Sequence, residues 1–177
     1  MPITTTTDFD AEALYRTLLE QVRAGLAGVP DAAIVGIHSG GAWLAQRLAA
    51  DLDLTNRLGS IDVSFYRDDY AKKGLHPDVK PTHIGFNVDR ANIVLVDDVL
   101  YTGRTTRAAI NVLFDYGRPA RIMLAALADR AGRELPVAAD FVGVHAELAP
   151  GQSLSLQRGE DGALSLTVED DAEEPHA

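Results

Sequence analysis

The fold is decided by residues 93–106, which read IVLVDDVLYTGRTT. Residues 93–96 form an unbroken aliphatic run, typical of a parallel strand that is covered on both faces, and Asp97 and Asp98 then end it abruptly. Small and hydroxyl-bearing residues lead from there into a helical pattern over residues 107–116. Ligands of open α/β sheets bind at the carboxyl ends of the strands. The stretch therefore predicts an α/β protein with a ligand site directly after this strand.

The loop that follows the two aspartates has the composition of a phosphate site. Near the start of a helix, several backbone N–H groups have no partner within the helix and are free to bind an anion. An arginine and three threonines add side-chain donors. The predicted phosphate contacts come from Val99, Leu100, Tyr101, Thr102, Gly103, Arg104, Thr105 and Thr106.

Two carboxylates beside a phosphate would repel it unless they face another group. A ribose diol is such a group, because Asp97 and Asp98 can accept hydrogen bonds from its 2′ and 3′ hydroxyls. The alternative is that Asp97 only ends the strand while Asp98 or Thr102 caps the next helix. The Thr-Gly-Arg-Thr-Thr sequence that follows at once favours a ribose-phosphate site over this structural alternative.

Four blocks of the sequence resemble known motifs. Residues 94–106 resemble the phosphoribosyl-pyrophosphate (PRPP) motif of type I phosphoribosyltransferases. Together with residues 64–69 (SFYRDD), 115–119 (DYGRP) and 129–136 (DRAGRELP), they resemble the PyrR family of pyrimidine operon regulators and uracil phosphoribosyltransferases. The resemblance implies a type I phosphoribosyltransferase fold, in which helices flank a central parallel sheet and a small hood and a flexible β-arm loop are attached to it.

The same resemblance implies a reaction and a set of residues. Phosphoribosyl would pass from PRPP to uracil, giving UMP and pyrophosphate, with Mg²⁺ carried on the substrate and no metal held by the protein alone. The implied catalytic residues are Asp97, Asp98, Arg67 and Lys72, the last two on the flexible arm. Arg130 and Phe141 are implied to bind the base, with Phe141 stacked on the uracil ring. The alternative for Phe141 is a plain core residue.

Ser39, Gly40 and Gly41 follow a predicted strand at residues 33–37, and paired glycines let backbone N–H groups approach an anion closely. The resemblance implies that this loop receives the pyrophosphate of PRPP. The common family pattern there is Thr-Arg-Gly, so this chain lacks a guanidinium and its charge-assisted hydrogen bonds. The alternative is that Gly40 and Gly41 form only a tight strand-to-helix turn.

The rest of the chain alternates between helical and strand patterns, which indicates a parallel sheet with right-handed crossovers. Helices are predicted at residues 12–27, 42–52 and 107–116, and strands at residues 33–37, 61–65, 93–96, 122–127 and from 141 onward. Residues 159–162 (GEDG) predict a hairpin turn between strands at 153–157 and 163–168. We predict one domain over residues 1–168 and a solvated acidic tail over residues 169–177.

Composition narrows the function classes. A chain of 177 residues with 46% hydrophobic content can build one core, and the absence of cysteine excludes disulfides and thiolate zinc sites. No apolar run is long enough to span a bilayer and no leader pattern is present, so we expect a cytoplasmic protein without membrane contact. The motifs G-x-G-x-x-G and G-x-x-x-x-G-K-[ST] are absent, which disfavours a dinucleotide-binding or other nucleotide-binding domain.

The net charge of the chain bears on whether it acts as an enzyme or as an RNA-binding regulator. The resemblance permits both functions at once, an enzyme that is also a UMP-responsive regulator of pyrimidine operon transcription by attenuation. The alternative is an RNA-binding attenuation regulator with little or no catalytic activity. RNA binding requires a basic surface, whereas this chain carries a formal net charge of −10. The sequence therefore favours the enzyme, with PRPP and uracil or UMP as partners. The resemblance also implies a homodimer or a higher homo-oligomer.

Overall fold

The computed structural model of the chain describes residues 8–63 and 81–171. Its elements are β1 (Asp8–Phe9), α1 (Ala11–Leu26), β2 (Ala32–Ile37), α2 (Gly40–Asp51), a 3-10 turn (Thr55–Arg57), β3 (Leu58–Ile61), β4 (His83–Ile84), β5 (Asn92–Leu100), α3 (Arg104–Tyr116), β6 (Arg121–Arg130), β7 (Phe141–Ala146), β8 (Gln152–Arg158) and β9 (Leu164–Asp170). The predicted flexible arm, with Arg67 and Lys72, lies outside the described residues.

The central sheet has six strands in the order β4-β3-β2-β5-β6-β7. The pairs β3-β2, β2-β5, β5-β6 and β6-β7 are parallel, and only β4 runs antiparallel to its neighbour. A separate antiparallel sheet has the order β1-β9-β8. The predicted α/β architecture with a parallel central sheet is confirmed. None of the described helices is both long and apolar enough to cross a bilayer.

Strand β5 shows why its sequence is aliphatic at consecutive positions. Val94 and Val96 belong to the core formed with α1, α2 and the small sheet, whereas Ile93 and Leu95 belong to the core formed with α3. All four side chains are fully buried. A strand covered on both faces needs apolar residues at every position, and the two cores hold the end of β5 in a fixed place.

The same strand is longer than the sequence predicts. The prediction that Asp97 and Asp98 end it is wrong, because β5 continues to Leu100. Asp97 pairs with Ala126 of β6, and the parallel ladder runs on to the last residue of β5. Cross-strand pairing with a neighbour that is equally long overrides the low strand preference of aspartate. Asp97 and Asp98 are therefore residues of β5, close to its carboxyl end.

Helix starts also differ from the predictions by a few residues. Helix α3 begins at Arg104, three positions before the predicted start, and α2 begins at Gly40, two positions early. The first turn of each helix carries glycine, threonine or arginine and has no apolar periodicity that could reveal it. Residues 64 and 65 of the predicted strand at 61–65 lie outside the described residues, and the strand described there is Leu58–Ile61.

The small sheet, called the hood below, is built on the predicted hairpin. Strands β8 and β9 pair antiparallel from Arg158 with Leu164 to Gln152 with Asp170. Strand β9 thus extends two residues into the segment predicted as a tail. The short β1 was not predicted, and it pairs with the middle of β9. The hood contributes Leu156, Leu164 and Leu166 to the core that contains α1.

A polar cluster joins the hood to α1 and α2. The Glu12 carboxylate accepts two hydrogen bonds from the Arg47 guanidinium, at 3.1 and 2.9 Å, and one from the backbone N–H of Leu164 at 2.9 Å. These bonds, led by those from Arg47, lower the pKa of Glu12.

Tyr15 lies next to this ion pair. The Arg47 guanidinium lies 4.0 Å above the Tyr15 ring, and the Tyr15 hydroxyl donates a hydrogen bond to Asp51 at 2.5 Å. Burial, followed by this bond to a carboxylate, raises the pKa of Tyr15.

Candidate active site

A cavity of about 600 Å³ opens where β5 passes into α3. One wall consists of every residue from Asp97 to Thr106, and Arg130 of β6 joins it. The opposite wall belongs to the hood. Its residues are Ser153, Leu154, Ser155, Leu156 and Glu169. The structure thus brings together the predicted carboxylates, the predicted phosphate loop and Arg130, and it adds hood residues that the sequence analysis did not identify.

The two aspartates are held by the backbone that follows each of them. Asp97 is only 5% exposed, and its Oδ1 accepts the N–H of Asp98 at 2.9 Å. Asp98 is partly buried, and its Oδ1 accepts the N–H of Val99 at 2.8 Å. These bonds fix the orientation of the two carboxylates at the cavity wall. Both groups are suited to accept hydrogen bonds from ligand hydroxyls.

The glycines at the start of α2 allow the helix to approach β5 closely. A Cβ on Gly41 would lie 2.4 Å from the carbonyl oxygen of Val96, and a Cβ on Gly40 would lie 2.4 Å from Oδ2 of Asp98. Any larger residue would push the helix or the carboxylate away. The packing role considered in the sequence analysis is therefore real, and it places the amino end of α2 beside Asp98.

Ser39, Gly40 and Gly41 are not among the residues that line the cavity. Ser39 is exposed at the N-cap position of α2, and its side chain makes no capping hydrogen bond. The loop is thus adjacent to the cavity through the contact between Gly40 and Asp98. A ligand that extends past Asp98 would meet the positive end of the α2 dipole.

The loop between β5 and α3 has the backbone of an anion site. Gly103, the N-cap of α3, has a φ of +94°, and a Cβ on it would lie 2.4 Å from Cγ2 of Val137. Only glycine fits both constraints. The hydroxyl of Thr102 accepts the N–H of Arg104 at 3.2 Å. The hydroxyl of Thr106 is buried and has no hydrogen-bond partner within residues 8–63 and 81–171. A buried hydroxyl without a partner costs free energy, so its presence points to a ligand.

Arg130 stands between this cavity and a second one. Its guanidinium lies 4.0 Å above the ring of Tyr101, a side chain that is 42% exposed. The second cavity measures about 400 Å³ and is formed by residues 129–133 and 145–147. Arg130 lines both cavities. The stacked pair therefore forms part of the partition between them.

Phe141 is not among the residues that line the cavity. It is the first residue of β7 and pairs with Ala125, near the middle of β6. Its ring packs against α1, because a Cβ on Gly25 would lie 2.4 Å from Cζ of Phe141. Phe141 is partly buried and packs against the core, as in the alternative that the sequence analysis left open, and its stacking on the base stays a prediction. Within the described part of the chain, no group of three or more His, Asp or Glu side chains could hold a metal ion.

Comparison with known proteins places this site in a family. The model of the phosphoribosyl transferase domain matches residues 8–152. The chain is also 53% identical over 161 residues to the bifunctional protein PyrR of Ralstonia nicotianae, covering 90% of this chain and 92% of that protein. The chain belongs to the PyrR family of phosphoribosyltransferases. It is 49% identical to the bifunctional protein PyrR of Nitrosococcus oceani, covering 82% and 84% of the two chains. The predicted family is confirmed.

Solved structures agree with this PyrR assignment at the level of the fold. A hypoxanthine-guanine phosphoribosyltransferase from Bacillus anthracis has a TM-score of 0.62 at 18% identity and covers 86% of this chain and 88% of its own. A purine phosphoribosyltransferase from Pyrococcus horikoshii has a TM-score of 0.59 at 27% identity and covers 90% and 100%. The type I phosphoribosyltransferase fold, with its mainly parallel sheet and attached hood, is thereby confirmed.

Proposed function

We propose that this phosphoribosyltransferase transfers phosphoribosyl from PRPP to uracil, giving UMP and pyrophosphate. The observation that carries the proposal is that Asp97, Asp98 and residues 99–106 line one cavity with Arg130 and the hood. A cavity with paired carboxylates at one end of a phosphate loop matches a ribose 5-phosphate in chemistry. Similarity to PyrR proteins over most of the chain supports uracil as the acceptor.

Each part of PRPP has a complementary group in the site. The ribose 2′ and 3′ hydroxyls donate to Asp97 and Asp98. The 5′-phosphate sits on the N–H groups at the start of α3, where the dipole of the helix favours an anion. The hydroxyl of Thr106, which otherwise has no partner in the described structure, donates to the same phosphate. The anomeric carbon then faces the space under the hood, where the base binds.

The reaction is a displacement at the anomeric carbon. The bond from this carbon to the pyrophosphate oxygen breaks, and its electron pair leaves with pyrophosphate. N1 of uracil supplies the pair for the new bond and loses its proton. Positive charge develops on the ribose meanwhile, and the carboxylates of Asp97 and Asp98 stabilise it. Catalysis comes mainly from holding the two substrates in line.

Magnesium would be carried by the substrate on the pyrophosphate of PRPP, and when bound it would neutralise the charge of the leaving group. The oxygen donors of Asp97 and Asp98 are ligands of the kind that Mg²⁺ accepts when it keeps several waters and shares a substrate. We further propose that pyrophosphate leaves toward the amino end of α2, at Ser39. Arg67 and Lys72, which lie outside the described residues, are proposed to supply positive charge to the pyrophosphate.

The test is the conversion of uracil to UMP by the purified protein with PRPP and Mg²⁺, followed by chromatography. Asp98→Asn is expected to lower turnover by at least about tenfold, because it removes one of the two charges that stabilise the developing cation. Asp89→Asn is the matched control, since Asp89 is exposed and the hydrogen bond described for its carboxylate is the one it accepts from the backbone N–H of Arg118. Turnover of purine bases but not of uracil would refute the proposed acceptor.

A second candidate function is an RNA-binding attenuation regulator of pyrimidine operons. The observation that favours it is that the relatives are named bifunctional PyrR proteins. The formal net charge of −10 opposes it, because RNA binding draws on a basic surface. A gel-shift titration of pyrimidine operon leader RNA with and without UMP separates the two. UMP-dependent binding without turnover would favour the regulator.

We also propose that the protein forms a homodimer or a higher homo-oligomer. Sedimentation velocity of the purified protein tests this oligomeric state.

A further inference from the structure

Arg133 lies outside the predicted phosphate loop, yet its guanidinium contacts that loop. Its Nη1 donates a hydrogen bond to the carbonyl oxygen of Tyr101. Its Nε donates to the carbonyl oxygen of Val137 at 2.9 Å, and its Nη2 donates to Oδ1 of Asp129 at 2.7 Å. All three nitrogens therefore have an acceptor, and the side chain is only 26% exposed. Because the guanidinium is planar, its three hydrogen bonds together fix the orientation of the Arg133 side chain.

The backbone after this arginine makes a second set of contacts with the same loop. The N–H groups of Glu134 and Leu135 donate to the carbonyl oxygen of Thr102 at 2.9 and 3.0 Å. A valine of the same segment packs so closely on Gly103 that a Cβ there would lie 2.4 Å away. We call residues 133–137 the brace, because they hold three consecutive residues of the loop.

An anion-binding loop needs such support. Its N–H groups must face the ligand and its carbonyl oxygens must face away, since a carbonyl oxygen repels phosphate. The brace binds the carbonyl oxygens of Tyr101 and Thr102. The next residue, Gly103, has a φ of +94°, and a glycine restrains its own backbone less than any other residue. The brace therefore restrains this turn in addition to the hydrogen bond from the N–H of Arg104 to the hydroxyl of Thr102.

We propose that Arg133 is a positioning residue that keeps the phosphate loop in the shape that binds the 5′-phosphate of PRPP and UMP. The inference rests on the proposed function and gives Arg133 no contact with the ligand. Its effect reaches the ligand through the carbonyl group of Tyr101. Loss of Arg133 should therefore weaken recognition of the phosphate and leave recognition of the sugar and base unchanged.

Arg57 offers a matched control in the same protein. Its Nε and Nη2 donate to the carbonyl oxygens of Ala32 and Asp31, both at 3.0 Å. These carbonyls lie at the start of β2, whereas the cavity lies at the carboxyl ends of the parallel strands. Arg57→Met therefore removes a similar clamp on backbone carbonyls without touching the phosphate loop.

The experiment is a calorimetric titration with UMP and with uridine, which differ only by the phosphate. Arg133→Met is expected to lose about tenfold in UMP affinity and to keep its uridine affinity within about twofold. Arg133→Lys keeps the charge but loses the planar guanidinium, so its UMP affinity should lie between that of the wild-type protein and that of Arg133→Met. In turnover, Arg133→Met should raise KM for PRPP and leave kcat at saturating PRPP within about twofold.

The ratio of UMP to uridine affinity decides the outcome. An unchanged ratio in Arg133→Met, or an equal loss in Arg57→Met, overturns the proposal. If the wild-type protein shows no preference for UMP over uridine, both the proposed phosphate site and the proposed role of Arg133 are refuted. Absence of uracil turnover, with the UMP preference and its loss in Arg133→Met intact, refutes the acceptor but supports the brace.

Discussion

The Glu12 carboxylate and the Arg47 guanidinium form a bidentate ion pair, with oxygen-to-nitrogen distances of 3.1 and 2.9 Å. Glu12 lies on α1 and Arg47 on α2, and the backbone N–H of Leu164 at the start of β9 completes the group. One carboxylate thus connects two helices and the hood. Because the amino end of α2 lies beside Asp98, this connection also fixes the hood relative to the site.

We expect Glu12→Gln to destabilise the protein by about 1 kcal/mol, because an NH2 donor replaces one of the two acceptor oxygens and the charge of the carboxylate is lost. The two side chains are about one-third exposed, which keeps the effect small. The measurement is urea denaturation followed by circular dichroism. Glu20→Gln is the control, since its pair with Arg23 at 3.8 Å is well exposed and should contribute little. Equal losses in both variants would show that the hood connection carries no special stability.

The same carboxylate predicts a pH dependence. The pKa of Glu12 in the folded protein is lowered from 4.5, first of all by the hydrogen bonds from Arg47. A lowered pKa in the folded state means that the stabilisation is complete above the unfolded value and disappears as pH falls through the folded value. The stability difference between wild type and Glu12→Gln should thus be constant near neutral pH and shrink below pH 4.5. Denaturation curves at a series of pH values test this, and a difference that grows on acidification would contradict it.

The aliphatic run of β5 predicted the centre of the fold because a strand buried on both faces leaves an unmistakable pattern. The hairpin β8-β9 was predictable for a different reason, since it has a glycine-rich turn between two segments in which apolar and polar residues alternate. Strand β1 was not, since two residues carry no periodicity. The end of β5 was misplaced because pairing with β6, a long-range interaction, decided it.

The cavity lining could be predicted where its residues are contiguous in sequence, and it could not be predicted where the fold assembles the residues. Residues 97–106 carry their own signal, whereas Leu154 and Glu169 reach the cavity only because the hood packs over it. The packing of Phe141 could not be predicted for a related reason, since an aromatic residue near a family motif does not reveal which element it contacts. Its contact with α1 is visible only in three dimensions.

Gly40→Ala tests the close approach of α2 to the carboxylates. The new Cβ would lie 2.4 Å from Oδ2 of Asp98, so either the helix or the carboxylate must move. On the proposed function, uracil turnover should fall by at least about tenfold, because a small displacement of a catalytic group is costly. Gly85→Ala is the control, since its nearest neighbour is the end of the His83 side chain at 3.3 Å. Full activity in Gly40→Ala would show that Asp98 tolerates displacement.

Thr106→Val should change stability and ligand binding in opposite directions. The Thr106 hydroxyl is buried without a partner in the described structure, and valine has nearly the same shape without the polar atom. The ligand-free variant is expected to be at least as stable as wild type and to gain up to about 1 kcal/mol. If the hydroxyl serves the 5′-phosphate, KM for PRPP should rise by about fivefold to tenfold, the loss of one hydrogen bond to a charged group.

Thr17→Val controls for the loss of a threonine hydroxyl, because Thr17 bonds only a helix carbonyl on the surface and should leave KM unchanged. Thermal melting of the ligand-free proteins and steady-state kinetics are the two measurements. A Thr106→Val protein that is less stable and binds PRPP normally would mean that the hydroxyl serves the fold, not the ligand. A more stable protein with weaker PRPP binding would show that the site keeps an unpaired hydroxyl, at a cost in stability, because the phosphate needs a donor there.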